Sequence, residues 1–335
     1  MKKIFFTKAG NNGATYIFNT KNISSINSSL KFYKSFTIRQ KVVKTILFVY
    51  LLLNKIFKKN SLKTSDEIVN FLKENTNQNI DFIVNDDYSI LISPTRDKII
   101  IHNHDKNSFD KYAFGKSLEG VKNEYNIYKL FKNESKSFNT SKIENFYSDE
   151  NYCKFTLQNK SFISKSDDLV TILIEFFNLD TKQIKLEDYY ENTYKNLDKN
   201  LSYYLNILKD IYKNKDIKIG LVHKDFKPWN MNNIQGPLIY DFEESCQALV
   251  GEDLLNFYID PIVSFKSLDE IVELINSNLV QKQLTSYKNK QSLDIDEKFM
   301  ILNYLFERAY FWNKKNKQNL SSKYLELLKG FLNEK

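Results

Sequence analysis

The chain has 335 residues, 42% hydrophobic and 15% aromatic, with only 8 Gly and 4 Pro. That is enough chain for two lobes with real cores, and it excludes a disordered or linker-rich polymer. The net charge of +8 is scattered among 41 Asp and Glu, which reads as a solvated surface, so no nucleic-acid partner is expected. Cys153 and Cys246 show no C-x-x-C or metal spacing, as expected of a reducing cytoplasm. The start, M-K-K-I-F-F-T-K, has too short an apolar stretch for a signal-peptide core of roughly 7–15 residues, and a cytoplasmic location is expected.

Residues 36–59 predict a basic, strongly apolar helix flanked by Arg39, Lys41, Lys44, Lys55, Lys58 and Lys59. Its uncharged run from Thr45 to Asn54 is about half of the ~20 residues that cross a bilayer. Two readings stay open for 42–58: packing on the protein's own body, or peripheral association with the cytoplasmic face of the inner membrane. A short amphipathic helix follows at 66–75, with Ile68, Phe71 and Leu72 on one side. From about Asp81 the pattern turns to strands. Tyr88–Ser93 and Lys98–His102 are β-rich runs separated by the turn P-T-R-D, and Phe109–Phe114 is a third. A helix is expected over Leu118–Lys132, then a hairpin from Ile143–Tyr147 and Tyr152–Leu157.

After about residue 160 the chain reads as mostly helical, with helices over Leu169–Phe177, Leu197–Tyr212, 267–283, 296–313 and 321–333. The expected organisation is an N-terminal extension (1–78), a mixed lobe (79–158) and a helical lobe (159–335). His102 and His104 alternate on one strand, but no third ligand near them completes a metal site.

The chemistry concentrates in G-L-V-H-K-D-F-K-P-W-N-M-N-N-I-Q-G-P-L-I-Y-D-F-E-E-S, residues 220–245. Two apolar β-type runs, Leu221–Val222 and Leu238–Tyr240, each deliver a polar cluster at their end. The G-P turn at 236–237 lets the chain fold back. Phosphoryl transfer asks little covalent work of a protein, so positioning and charge stabilisation dominate. Asp225 suits the carboxylate that orients an acceptor hydroxyl and takes its proton. Asn230 and Asp241 suit the amide and carboxylate oxygens that hold Mg2+. Lys227 suits a cation on the transferring phosphoryl group. The matched pattern is H-x-D-x-x-x-x-N followed by D-F-x, carried by His223, Asp225, Asn230 and Asp241–Phe242.

On these residues the chain resembles the protein-kinase-like superfamily. It is most similar to the branch with aminoglycoside phosphotransferases, choline kinases and related sugar kinases. Glu243 supports that branch, giving D-F-E where protein kinases have D-F-G, and it joins the candidate metal set. No A-P-E motif and no G-x-G-x-x-G loop is present. The resemblance implies an α+β, two-lobed kinase-like fold, with an antiparallel sheet plus helix in the N-lobe and a mainly helical C-lobe. It implies ATP as donor and a Lys–Glu pair on the nucleotide phosphates, here Lys111 with Glu124. Lys98 is the competing lysine. The Ser93–Asp97 turn would cover the phosphates through Thr95. It also implies that His223 braces the catalytic loop and that Asp253, in G-E-D-L-L-N-F, supports it.

One departure runs toward protein kinases: Lys224 stands where this branch usually has Gly, and H-K-D-F-K-P-W-N is close to H-R-D-L-K-P-E-N. The variant is also similar to phosphotransferases encoded with bacterial surface-polysaccharide genes. A sugar or surface-glycan precursor is therefore the leading acceptor expected. An aminoglycoside, a choline-like amino alcohol, a protein side chain, or a non-catalytic pseudokinase role are the alternatives.

Overall fold

The computed structural model describes residues 4–8, 14–19, 22–30, 38–56, 66–76, 87–131, 135–158, 168–232 and 237–333. Contacts divide the chain into two units: Met1–Lys129 with Thr140–Ser161, and Leu130–Asn139 with Phe162–Lys335. The architecture is α+β, with an antiparallel sheet in the first unit and helices dominating the second.

In the first unit seven described strands form one sheet. They are β1 (Ile4–Lys8), β2 (Thr15–Asn19), β3 (Tyr88–Ile92), β4 (Lys98–Asn103), β5 (Ser108–Phe114), β6 (Lys142–Ser148) and β7 (Tyr152–Gln158). Their order is β1-β2-β3-β4-β5-β7-β6, and every neighbouring pair is antiparallel. Strand alternation builds the core: Ile17, Ile90, Ile92, Ile99, Ile101 and Tyr112 point to one apolar layer. The helix α3 (Asp66–Thr76) adds Leu72 to that layer, as its amphipathic pattern predicts.

The sheet is larger than expected. β1 and β2 lie in the segment read as an extension, yet β2 pairs with β3 through Thr15↔Ile92 and Ile17↔Ile90. Their short runs gave little periodic signal, and pairing across a long insertion is not a local property. The small helix α1 (Ile23–Ser29) and α2 (Ile38–Ile56) follow β2. Phe18, Ile26, Leu30 and Leu51 make a second small core there. The opposite stripe of α2, with Val42, Val43, Ile46, Val49, Tyr50 and Leu53, is exposed. No described helix is long and apolar enough to cross a membrane. Residues 57–58, the end of the basic stretch, lie outside the described residues.

In the second unit the described helices are the following. They run α5 (Leu169–Phe177), α6 (Leu186–Thr193), α7 (Lys199–Ile211), α8 (Glu252–Ile259), α9 (Leu268–Ile275), α10 (Asn278–Gln291), α11 (Glu297–Lys314) and α12 (Gln318–Asn333); α4 (Leu118–Leu130) belongs to the first unit but for its last residue. A small sheet runs β12-β9-β8, with β8 (Lys182–Lys185), β9 (Asp216–Val222) and β12 (Cys246–Leu249). The single helix expected over 267–283 is two. Ser277 accepts the Val280 N–H and caps α10, while Asn276 closes α9, so a polar N-S pair ends one helix and starts the next. The axis of this unit is α11, in which every residue from Phe299 to Ala309 is buried. That run includes Asn303, Glu307 and Arg308, whose polar groups need partners inside the protein.

Candidate active site

β9 is apolar because it is buried, with Ile217, Ile219, Leu221 and Val222 all in the core. At Gly220 a Cβ would lie 2.5 Å from the Phe177 carbonyl oxygen, so only glycine lets α5 approach this closely. The strand ends by delivering His223, and the chain then turns sharply at Lys224, whose φ of 64° is left-handed.

His223 is a fully buried brace. Its Nε2–H donates to the Tyr240 carbonyl at 3.0 Å, and its ring packs among Phe176, Phe226 and Phe242. Burial pulls its imidazole below the ordinary value, which suits a neutral ring and not a proton shuttle. The loop backbone is anchored by α8. Asp253 accepts the His223 N–H at 2.6 Å and the Lys224 N–H at 3.1 Å. The Lys224 carbonyl accepts from Asn256 at 2.6 Å and from Arg308 at 3.1 Å.

This anchored loop presents Asp225. The Asn230 side-chain amide donates to the Asp225 carbonyl at 2.8 Å and to its carboxylate at 3.1 Å. With its nitrogen so committed, the Asn230 amide turns its oxygen away from Asp225. Lys227 Nζ lies 2.5 Å from Asp225 Oδ1. The strands β10 (Met231–Asn232) and β11 (Leu238–Ile239) then form the expected hairpin, pairing Met231 with Ile239. Residue 236 of the expected G-P turn lies outside the described residues. The hairpin carries the chain to Asp241, also left-handed at φ 74°. A non-glycine residue held there is strained, a feature that clusters at functional sites. Glu243 follows in a single 3-10 turn, Phe242–Glu244, anchored by the buried Phe242.

A hard cation fits this donor chemistry. Asn230 and Asp241 offer amide and carboxylate oxygens, the ligand types Mg2+ takes, and Glu243 adds a further carboxylate nearby in sequence.

Two lysines depart from what the motif suggests. The Lys224 side chain is buried, with Nζ 2.9 Å from Glu252 and 2.8 Å from Glu307. Glu307 also accepts the Tyr189 hydroxyl at 2.5 Å and that of Tyr194. Lys227 is shared between two acids, because Asp260 Oδ2 lies 2.8 Å from the same Nζ. Asp260, Arg308, Glu252 and Glu307 were absent from the expected site. The signal for the first lay in α8 and its end, where Asp253, Asn256 and Asp260 recur at i, i+3 and i+7 on one face of an apolar helix. Glu307 and Arg308 are the charges inside the apolar run of α11.

In the first unit, Lys111 on β5 and Glu124 on α4 form a buried ion pair at 2.6 Å. That favours Lys111 over Lys98, which sits at the start of β4 opposite Ala113. Thr95 is differently engaged from the expectation. Its hydroxyl donates to Asp97, which also accepts the Ser93 hydroxyl at 2.9 Å. A carboxylate tying up the turn disfavours a phosphate-covering role for Thr95. His102 stacks on Phe109 at 4.2 Å, and His104 contacts Asp87 at 3.0 Å and Ser89 at 2.9 Å, so both rings serve the sheet.

No family model matches the chain, and no curated protein matches its sequence. Solved structures resemble it at low identity. A thermostable mutant of an aminoglycoside phosphotransferase, in ternary complex with AMP-PNP and hygromycin B, is 10% identical with a TM-score of 0.46, over 79% of this chain and 97% of its own. The ethanolamine kinase of Plasmodium vivax is 12% identical with a TM-score of 0.39, over 93% and 94%. An aminoglycoside phosphotransferase from Streptomyces rimosus, in complex with ADP and streptomycin, is 8% identical with a TM-score of 0.39, over 69% and 90%. What the site can do rests on its own residues.

Proposed function

We propose that the protein transfers the γ-phosphate of ATP to a hydroxyl of a small molecule, with a sugar or surface-glycan precursor as the acceptor. The observation that carries this reading is the loop 223–230. It presents Asp225 with Lys227 and Asn230 on its carboxylate and is held rigid by Asp253, Asn256 and Arg308. In this reading the acceptor oxygen attacks the γ-phosphorus while its proton passes to Asp225. The bond to the β–γ bridging oxygen breaks and ADP leaves. Lys227 supplies positive charge beside the attack. Asn230 and Asp241, with Glu243, are the residues that would hold Mg2+, which when bound neutralises phosphate charge. Lys111, oriented by Glu124, is the lysine assigned to the α- and β-phosphates.

The test is magnesium-dependent ATP consumption against sugars, nucleotide-free glycan precursors, glycolipids, amino alcohols and aminoglycosides. Stimulation by a sugar or glycan compound is expected. Stimulation confined to amino alcohols or aminoglycosides would overturn the acceptor class, and no turnover with any compound would favour a binding module.

The exposed stripe of α2 supports a peripheral membrane contact, which would suit a glycolipid acceptor. Six apolar side chains from Val42 to Leu53 face outward, and the exposed Lys41 lies at the start of that stripe. Co-flotation with anionic liposomes at low salt is expected, and Ile46→Asp with Leu53→Asp should abolish it. A wild-type protein that stays at the bottom of the gradient removes this reading.

A further inference from the structure

We propose that Asp260 is a positioning residue for the transfer reaction, holding Lys227 in place beside the base Asp225. The inference rests on the reading of residues 223–241 as a transfer site, and it concerns a residue outside that motif.

Lysine carries a compact charge on a flexible four-carbon stem. With Asp225 as its one acidic partner, that stem would leave Lys227 free to swing away from the base. The structure instead divides the ammonium between two acids, Asp225 at 2.5 Å and Asp260 at 2.8 Å. Asp260 cannot yield, because its side chain is only 2% exposed and its other oxygen is fully engaged. Oδ1 accepts from Arg308 Nη2 at 2.7 Å and from the Tyr324 hydroxyl at 2.8 Å. Arg308 is fixed in turn, since its Nη1 donates to the Lys224 carbonyl in the catalytic loop. Its guanidinium also packs over the ring of Phe311. One arginine thus ties together the loop that carries Asp225 and the carboxylate that holds Lys227.

The two oxygens of Asp260 have separate tasks, and this makes the idea separable from simple support of the fold. Oδ1 serves Arg308 and Tyr324; Oδ2 serves Lys227. Burial alone would favour the neutral acid, but the charges of Arg308 and Lys227 hold the Asp260 carboxyl below its usual range. In Asp260→Asn the amide oxygen can still accept from Arg308, which fixes the amide orientation. The NH2 group then meets Lys227, where donor faces donor. The substitution removes the lysine contact and keeps the arginine one.

The test is a double-mutant cycle on Asp260→Asn and Lys227→Met, read as kcat and KM for Mg-ATP hydrolysis, with the thermal midpoint of all four proteins. In the wild-type background Asp260→Asn should lower kcat up to about 10²-fold, the loss that a roughly 1 Å misplacement of a catalytic group can bring, with KM for ATP little changed. In the Lys227→Met background it should change kcat no further. An equal loss of kcat in both backgrounds, or none in the first, overturns the proposal. Should Asp260→Asn fail to fold, Tyr324→Phe loosens the same carboxylate without changing charge. It should lower kcat only where Lys227 is present, and the same equal loss overturns the proposal. A wild-type protein without magnesium-dependent turnover would instead remove the reading of the site itself.

Discussion

Asp225→Asn is expected to cut phosphate transfer about 10²–10⁴-fold, the range for losing a general base, while nucleotide binding persists. Asp241→Ala is expected to lose magnesium-dependent ATP binding and turnover together, because it removes one carboxylate of the proposed donor set and leaves Glu243 and the Asn230 amide. The two variants separate two roles that lie on one short stretch of chain. Asp225 sits on a loop fixed by three side chains from α8 and α11, so the amide should enter the same place. Its new NH2 group cannot accept from Lys227 or Asn230, and it cannot take a proton from an acceptor. Single-turnover assays and nucleotide titrations with and without Mg2+ read the two effects. Full transfer activity in Asp225→Asn would remove the base assignment. Unchanged magnesium-dependent binding in Asp241→Ala would remove the metal assignment.

Lys224→Met is expected to destabilise the protein by about 3–5 kcal/mol, the usual cost of stripping one partner from a buried ion pair. Lys224 places one ammonium between two carboxylates, Glu252 and Glu307, both nearly fully buried. Burial already pushes the Glu252 carboxyl up to about 7, with Lys224 opposing. Burial acts on Glu307 too, but Lys224 and the Tyr189 and Tyr194 hydroxyls hold it low. Without the ammonium the Glu252 carboxyl rises further and the Glu307 carboxyl rises above its unfolded value. The folded state then binds more protons than the unfolded one, so the variant's stability falls as pH rises. The deficit relative to wild type should therefore be largest above about pH 7 and shrink toward about pH 5. Lys224→Gly relieves a left-handed backbone that costs about 1–2 kcal/mol in a non-glycine residue. It should still be less stable than wild type, because the two acids stay unpaired. Urea unfolding across this pH range measures both variants. A Lys224→Met protein as stable as wild type at neutral pH would show that the network carries no net stability.

Lys224 also shows how far local sequence reaches. In the motif it stands next to the base, where the resembling branch has Gly and the protein-kinase pattern has Arg. Nothing nearby reveals that its φ of 64° turns the side chain into the core. Its partners are distant in the chain, Glu252 on α8 and Glu307 on α11, and a motif read along one segment does not include them. Glu252 stands in the very G-E-D segment that marks Asp253, yet its role depends on an inward-turned lysine.

The sequence by itself determined all five described strands from Tyr88 to Gln158, because β-rich runs and the turns between them are local signals. It also determined the placement of His223, Asp225, Asn230 and Asp241 at the ends of short apolar strands, because their spacing reflects one loop and one hairpin. It singled out Lys111 and Glu124, which meet at 2.6 Å. Tertiary structure alone decided the rest. It added β1 and β2 to the sheet through pairing across some seventy residues of chain. It spent the Thr95 hydroxyl on Asp97 and the Lys224 ammonium on two buried acids. It also set Asp260 and Arg308 behind Lys227. The reason is common to all of these. Buried charges must find partners, and the chain supplies them from whichever helix packs nearest, at separations that no local pattern records.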